Sequence, residues 1–155
     1  MGLVSLPAVQ KIVRRLKKRR KKIVFTNGCF DLLHAGHITL LRKAKSLGDF
    51  LIVGLNSDQS VRKLKGRGRP VVLQKDRARV LSAVRDVDCV VFFSESTPLK
   101  LVRLLSPDVL VKGADYKNSA IVGADWVLAR GGRVVRIPLV KGQSSSSIFR
   151  KLRQL

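Results

Sequence analysis

At 155 residues, 45% of them hydrophobic, the chain is long enough for one domain with a real core and too apolar for global disorder. Thirty-two Lys and Arg against ten Asp and Glu leave a formal net charge of +22, a field that draws polyanions non-specifically and says nothing about fold. No run approaches eighteen uninterrupted apolar residues, and two cysteines cannot build a disulfide framework or a zinc site, so a membrane span and a cysteine-stapled scaffold are excluded.

Residues 6–18 carry Leu6, Val9, Ile12, Val13 and Leu16 at helical spacing, with Ser5 as N-cap and Pro7 in the first turn. Nine basic residues fall between Lys11 and Lys22, and no acid appears before Asp31. This start lacks a signal peptide's order of charge first and apolar core second, so the expected location is the cytoplasm, without membrane insertion. The run "IVFTN" (23–27) is continuous and apolar, as in a buried parallel strand. A helix is expected from about Gly36, with Ile38, Leu41, Ala44 and Leu47 on one face and Gly48 as its stop. A second strand follows at 50–56, then a short helical turn and a basic Gly/Pro loop up to residue 72. Residues 75–87 read as a helix and 88–93 as a third strand. The next helix is expected to take Ser96 or Thr97 as its cap, with Pro98 in the first turn. A strand at 108–113, a helix at 123–132 stopped by two glycines, a strand at 133–139 and a helix over 144–155 complete the chain.

Strands and helices alternate throughout, which predicts one α/β domain: a five-stranded parallel sheet with helices on both faces. Ligands of such sheets bind at the carboxyl ends of the strands, near the point where strand order reverses. Four unusual segments follow strands: "TNGCFDLLHAGH", "NSDQSVRKLKGRGRP", "KGADYK" and "GQSSSS". They are expected to gather at one edge, with the segment after the third strand left out. In the first of them His34 stands just before a helix and His37 in its first turn, with Gly36 allowing close approach. A helix N-terminus and two imidazoles suit phosphoryl oxygens. On spacing alone, a buried structural histidine beside a surface one remains the bland alternative. No third ligand is suitably spaced, so no metal site is expected.

"GCFDLLHAGH" resembles the (T/N)-G-x-F-D-x-x-H-x-G-H signature of the cytidylyltransferase-like nucleotidyltransferases. The blocks "DRARVLSAV", "TPLKLV", "PDVLVKGADYK", "IVGADWV" and "GGRVVRIPLVKGQS" are similar, in order, to the RfaE-type heptose 1-phosphate adenylyltransferases. The resemblance implies a Rossmann-like fold and AMP transfer from ATP to heptose 1-phosphate, with no kinase domain attached. Mg²⁺ would ride on the triphosphate, and a homodimer is implied. It places transition-state stabilisation on His34 and His37 and a phosphate contact on Lys65. It places nucleotide binding on Thr26, Asn27, Gly28, Cys29, Phe30, Asp31 and Gly36; on Arg77, which would reach the phosphates; on Lys112, Gly113 and Asp115; and on Ser144, Ser145 and Ser146. The two serines Ser145 and Ser146 stand where the family has threonines. "PLVKG" carries Leu139 and lacks the arginine that the cytidylyl branch places before that segment, which favours the adenylyl branch. Cytidylyl transfer to a polyol phosphate such as glycerol 3-phosphate is the alternative within the class. A nucleic-acid-binding protein on the same fold is the alternative outside it. Only 5% aromatic residues argue against a stacking platform for single strands, leaving weak polyanion binding as the expectation.

Overall fold

The computed structural model describes residues 2–114, 120–138, 144–152 and 154. Among these residues six parallel strands form one sheet: β1 (Gly2–Leu3), β2 (Ile23–Gly28), β3 (Phe50–Asn56), β4 (Cys89–Phe93), β5 (Val109–Gly113) and β6 (Arg133–Ile137), in the order β1-β4-β3-β2-β5-β6. The helices are α1 (Leu6–Lys18), α2 (Ala35–Lys45), α3 (Asp58–Lys65), α4 (Gln74–Ser82), α5 (Leu99–Leu105), α6 (Ala124–Leu128) and α7 (Ser145–Leu152). None of the described helices is long and apolar enough to cross a membrane. From β2 the chain moves outward through β3 to β4, then returns to place β5 on the other side of β2. The order therefore reverses between β2 and β5, which opens a crevice above their carboxyl ends.

The sheet has one strand more than the five expected. Gly2 and Leu3 pair with Cys89 and Val90, and the Val4 N–H continues the ladder to the Val90 carbonyl at 2.9 Å. Two residues carry no periodicity, so only the pairing reveals the strand.

Alternation along each strand builds two cores. Ile23, Phe25 and Ile52 face α1, α5 and α6, while Val24, Leu51 and Val53 face α2 and α4. Val9 and Val13 of α1 close the first layer; Leu41, Ala44, Ala78 and Leu81 close the second. Each fully buried Leu, Val, Ile or Phe contributes roughly 1.5–3 kcal/mol over an exposed one. At the opposite edge from the crevice, three aspartates staple strand starts. Asp49 accepts from the Lys22 N–H, Asp88 from Leu51 and Asp108 from Ile23, each at 2.7 Å. The Lys22 bond, then the Lys21 ammonium, holds the exposed Asp49 carboxyl below the usual carboxylate range.

Four local expectations need correction. Gly48 does not cap α2, which ends through Ser46 in the right-handed region. Glycine is required at 48 because a Cβ would lie 2.7 Å from Val24 and 2.8 Å from the Lys22 carbonyl. The helix expected over 75–87 stops at Ser82, and that over 123–132 stops at Leu128. Pro98, not Ser96 or Thr97, precedes α5, and no side chain caps it.

Candidate active site at the strand-order switch

A cleft of about 440 Å³ lies over the carboxyl ends of β2, β3 and β5 and the N-terminus of α2. Its lining includes Thr26, Asn27, Gly28, Cys29, Phe30, Asp31, His34, Gly36, His37, Lys65, Lys112, Gly113, Ser144 and Ser145. Asp115 and the Ser146 side chain lie outside the described residues.

The histidine segment is shaped by a tight exit from β2. Phe30 has φ 43° and folds its ring back 3.2 Å from where a Cβ on Gly28 would sit. His34 is the N-cap of α2, with extended backbone, and its carbonyl accepts from the His37 and Ile38 N–H groups. Its side chain caps nothing, so both imidazoles remain available to the cleft. The two rings stack with centroids 3.9 Å apart, and Phe30 packs on His37 at 5.0 Å. Both Nδ1 atoms are buried and bond to nothing among the described residues.

Burial, then the neighbouring His34, pushes His37 down to about 4; the Leu32 carbonyl opposes this more weakly. Burial also lowers His34. Two stacked imidazoles cannot both take a proton cheaply without an anion to neutralise them. Both are therefore neutral near pH 7, and an arriving phosphate would raise their proton affinity. Such a pair can strengthen its hydrogen bonds as negative charge builds on a phosphoryl group. The unpaired N–H groups of the first turn of α2 add a fixed positive end at the same place.

The surrounding residues hold the walls. Thr26 Oγ1 donates to the Val111 carbonyl at 3.0 Å, locking β2 to β5. Lys112, only 8% exposed, donates from Nζ to the Asn27 carbonyl at 3.1 Å. Ser145 Oγ donates to the Leu32 carbonyl at 3.0 Å, which ties the start of α7 to the histidine segment. Ser144 accepts from the Ser147 N–H and caps α7. Lys65, the last residue of α3, is exposed at the cleft. Burial, the largest influence, raises the Cys29 thiol despite Lys65 and Arg77 nearby. Asp31 is 4% exposed and works as an orienting residue: Oδ1 accepts from Val71 and Val72 N–H at 2.8 and 3.0 Å, and Oδ2 pairs with Arg69 at 2.8 Å.

Arg77 departs from expectation. It does not line the cleft and is 1% exposed. Its guanidinium donates to the Val72 carbonyl, the Cys29 carbonyl and Asp58. With those acceptors engaged, it fastens the histidine loop to α3 and α4.

The segment after β4, expected to stay apart, also enters the site. Ser96, Thr97 and Pro98 line the cleft because β4 runs parallel to its neighbours and ends at the same edge. Asn56 and Arg69 are two further lining residues not singled out from the sequence. A buried Asn closing an apolar strand is a readable signal for the first: Asn56 is 3% exposed and donates to Ser60 Oγ at 2.9 Å. Among the described residues no three His, Cys, Asp or Glu side chains group as metal ligands.

A sequence model of the cytidylyltransferase-like family matches residues 25–151. The bifunctional protein HldE of Citrifermentans bemidjiense is 51% identical over 148 residues, covering 96% of this chain and 30% of that protein. The protein of the same name from Wolinella succinogenes is 52% identical over 150 residues, covering 97% of this chain and 31% of that one. The chain thus spans under a third of the length of these curated relatives. A lipopolysaccharide core biosynthesis protein from Thermoplasma volcanium superposes with a TM-score of 0.64 at 27% identity, over 79% of this chain and 99% of that one. Pantoate-beta-alanine ligase from Francisella tularensis shares the fold, with a TM-score of 0.65 at 18% identity, over 100% of this chain and 78% of that one. With the family model running from within β2 through β6 and most of α7, the histidine pair included, the chain belongs to the cytidylyltransferase-like family.

Proposed function

We propose that this chain transfers AMP from ATP to heptose 1-phosphate, giving ADP-heptose and pyrophosphate. The observation that carries the reading is the stacked His34–His37 pair at the start of α2, inside a cleft at the strand-order switch. The narrower choice of donor and acceptor is supported by identity near 51% to proteins named HldE across 96% of this chain.

The sugar phosphate oxygen attacks the α-phosphorus of ATP, and the bond to the bridging oxygen of the β-phosphate breaks. Pyrophosphate leaves with the electron pair, and no covalent enzyme intermediate is needed. Catalysis is then positioning and charge neutralisation. The α2 N-terminus and both imidazoles face the developing charge, Lys65 supplies a mobile cation, and Ser144 and Ser145 bring hydroxyls from the closing helix. Asp31, the one carboxylate among the described lining residues, is committed to Arg69 and two backbone N–H groups. The donor set therefore fits a Mg²⁺ ion held by phosphate oxygens and water rather than by side chains.

The test is a pyrophosphate-release screen of four nucleoside triphosphates against sugar and polyol phosphates. ATP with heptose 1-phosphate should give the highest kcat/KM, and CTP with glycerol 3-phosphate should be poor. His34→Ala and His37→Ala should each lower turnover about 10²–10³-fold. Unchanged rates in both variants would remove these residues from the chemistry. Steeply salt-dependent nucleic-acid affinity without turnover would favour a binding protein instead.

A further inference from the structure

Resting on the reading of this cleft as a nucleotidyl-transfer site, we propose that Arg69 is one of its phosphate-binding residues, held ready by Asp31 and Phe149. Arg69 lies in the loop between α3 and α4. Two glycines with positive φ, Gly66 at 82° and Gly68 at 79°, turn this loop. No atom lies within 4 Å of a Cβ at either position, so the left-handed backbone and not crowding calls for glycine there. The turns separate two neighbouring arginines: Arg67 is exposed and away from the cleft, while Arg69 enters its wall.

The Arg69 side chain is only 10% exposed, and the Asp31 side chain facing it 1%. Nε lies 2.8 Å from Asp31 Oδ2. One face of the guanidinium covers the Phe149 ring of α7 at 5.2 Å from its centroid. A carboxylate 2.8 Å from Nε therefore anchors the cation electrostatically and an aromatic ring covers one face. The terminal nitrogens meet no acceptor among the described residues, although the cleft beside them contains both histidines and Lys65. A nine-tenths buried cation with its own carboxylate has no structural need for a spare donor edge. A planar fork held in this way matches two phosphoryl oxygens and loses little rotamer freedom on binding. Asp31 and Phe149 act through Arg69 and are positioning residues. The shared ligand chemistry is a phosphoryl group, supplied either by the triphosphate or by the sugar phosphate.

Calorimetric titration of the full chain with inorganic pyrophosphate, ATP and heptose 1-phosphate separates those sources without requiring turnover. Arg69→Gln should weaken at least one of the three about 10–100-fold. Loss confined to ATP and pyrophosphate assigns Arg69 to the triphosphate; loss confined to heptose 1-phosphate assigns it to the acceptor. Arg69→Lys keeps the charge but not the fork and should recover only part of the affinity. Phe149→Leu leaves Arg69 in place and should cost about 3–10-fold in the same ligand with its melting temperature near that of the parent. Binding of all three ligands within twofold of the parent in folded Arg69→Gln overturns the proposal. Should that variant fail to fold, parental affinity in both Arg69→Lys and Phe149→Leu overturns it equally. A parent chain that binds pyrophosphate through Arg69 yet turns over no sugar phosphate would sink the functional reading and leave this one standing. Parental kcat and KM in Arg69→Gln would do the reverse.

Discussion

Replacing Arg77 with Met tests whether the floor of the cleft is held by one buried cation. The side chain is 0% exposed, and its Asp58 partner is 17% exposed. The substitution keeps similar length and apolar volume but removes three donations at once: Nε to Val72 at 2.9 Å, one terminal nitrogen to Cys29, and the other to Asp58 at 2.7 Å. Removing one partner of a buried ion pair costs about 3–5 kcal/mol, mostly the penalty on the carboxylate left behind. Each orphaned carbonyl that water cannot reach would add about 1–3 kcal/mol, and these terms do not sum independently. We expect a loss of about 4 kcal/mol, close to 2 M in urea midpoint for an m-value near 2 kcal/mol/M. Asp58→Asn keeps an acceptor but strands the buried Arg77 cation, so it should also cost about 3–5 kcal/mol. The double variant should be less destabilised than the sum of the two singles, because it no longer strands a carboxylate. Urea melts followed by Trp126 fluorescence and circular dichroism measure all three. A loss below about 1 kcal/mol in Arg77→Met would refute the latch. So would strictly additive singles, because Asp58 would then not be paired with Arg77 in solution. A variant that folds should also lose kcat, since the Cys29 carbonyl anchors the loop leading to both histidines.

His37 offers a pH readout with a definite sign. Its folded value near 4 lies below the ordinary 6.5, so the unfolded chain binds more protons between those limits. Stability from this group is complete above pH 6.5 and falls as pH drops towards 4, by up to about 3 kcal/mol. His37→Gln should flatten that slope in acid-dependent urea melts, and a slope unchanged by the substitution contradicts the burial argument. Pyrophosphate should raise the His37 value in a proton NMR titration; no movement on saturation would mean that the ring does not face the ligand. Gly54→Ala would bring a Cβ to 2.8 Å from the Phe25 ring and 3.1 Å from Leu101, so a loss of about 1–3 kcal/mol is expected in urea melts. Burial and the neighbouring Asp88 push the Cys89 thiol up to about 12 with no exposed surface, whereas Cys29 is half-buried at the cleft. Iodoacetamide at pH 8 should label Cys29 slowly, pyrophosphate should slow it further, and Cys89 should react only on unfolding. Equal labelling of both in the native chain would contradict the burial of Cys89.

What was legible in the sequence follows from how local each determinant is. Strands buried on both faces read as unbroken apolar runs, so β3 falls at 50–56 as expected, and α1 is set by a stripe within its thirteen residues and a cap just before them. The histidine pair was equally legible, because strand, turn and helix start lie within fifteen residues. Arg77 was not. In its own helix it looks like one more surface cation in the first turn, and only Cys29, Asp58 and Val72, arriving from three other segments, make it a buried latch. Ser96 and Thr97 show the opposite failure: a local rule that favours them as caps competed with a global one. In an all-parallel sheet every strand ends at the same edge, so the turn after β4 had to enter the cleft whatever its capping preference. Arg69 combines both effects, since its aim depends on two glycine turns nearby and on Asp31 and Phe149 far along the chain. In this fold the two histidines stand in one short, dense motif, whereas the settings of Arg77 and Arg69 are made by partners that different crossovers bring together.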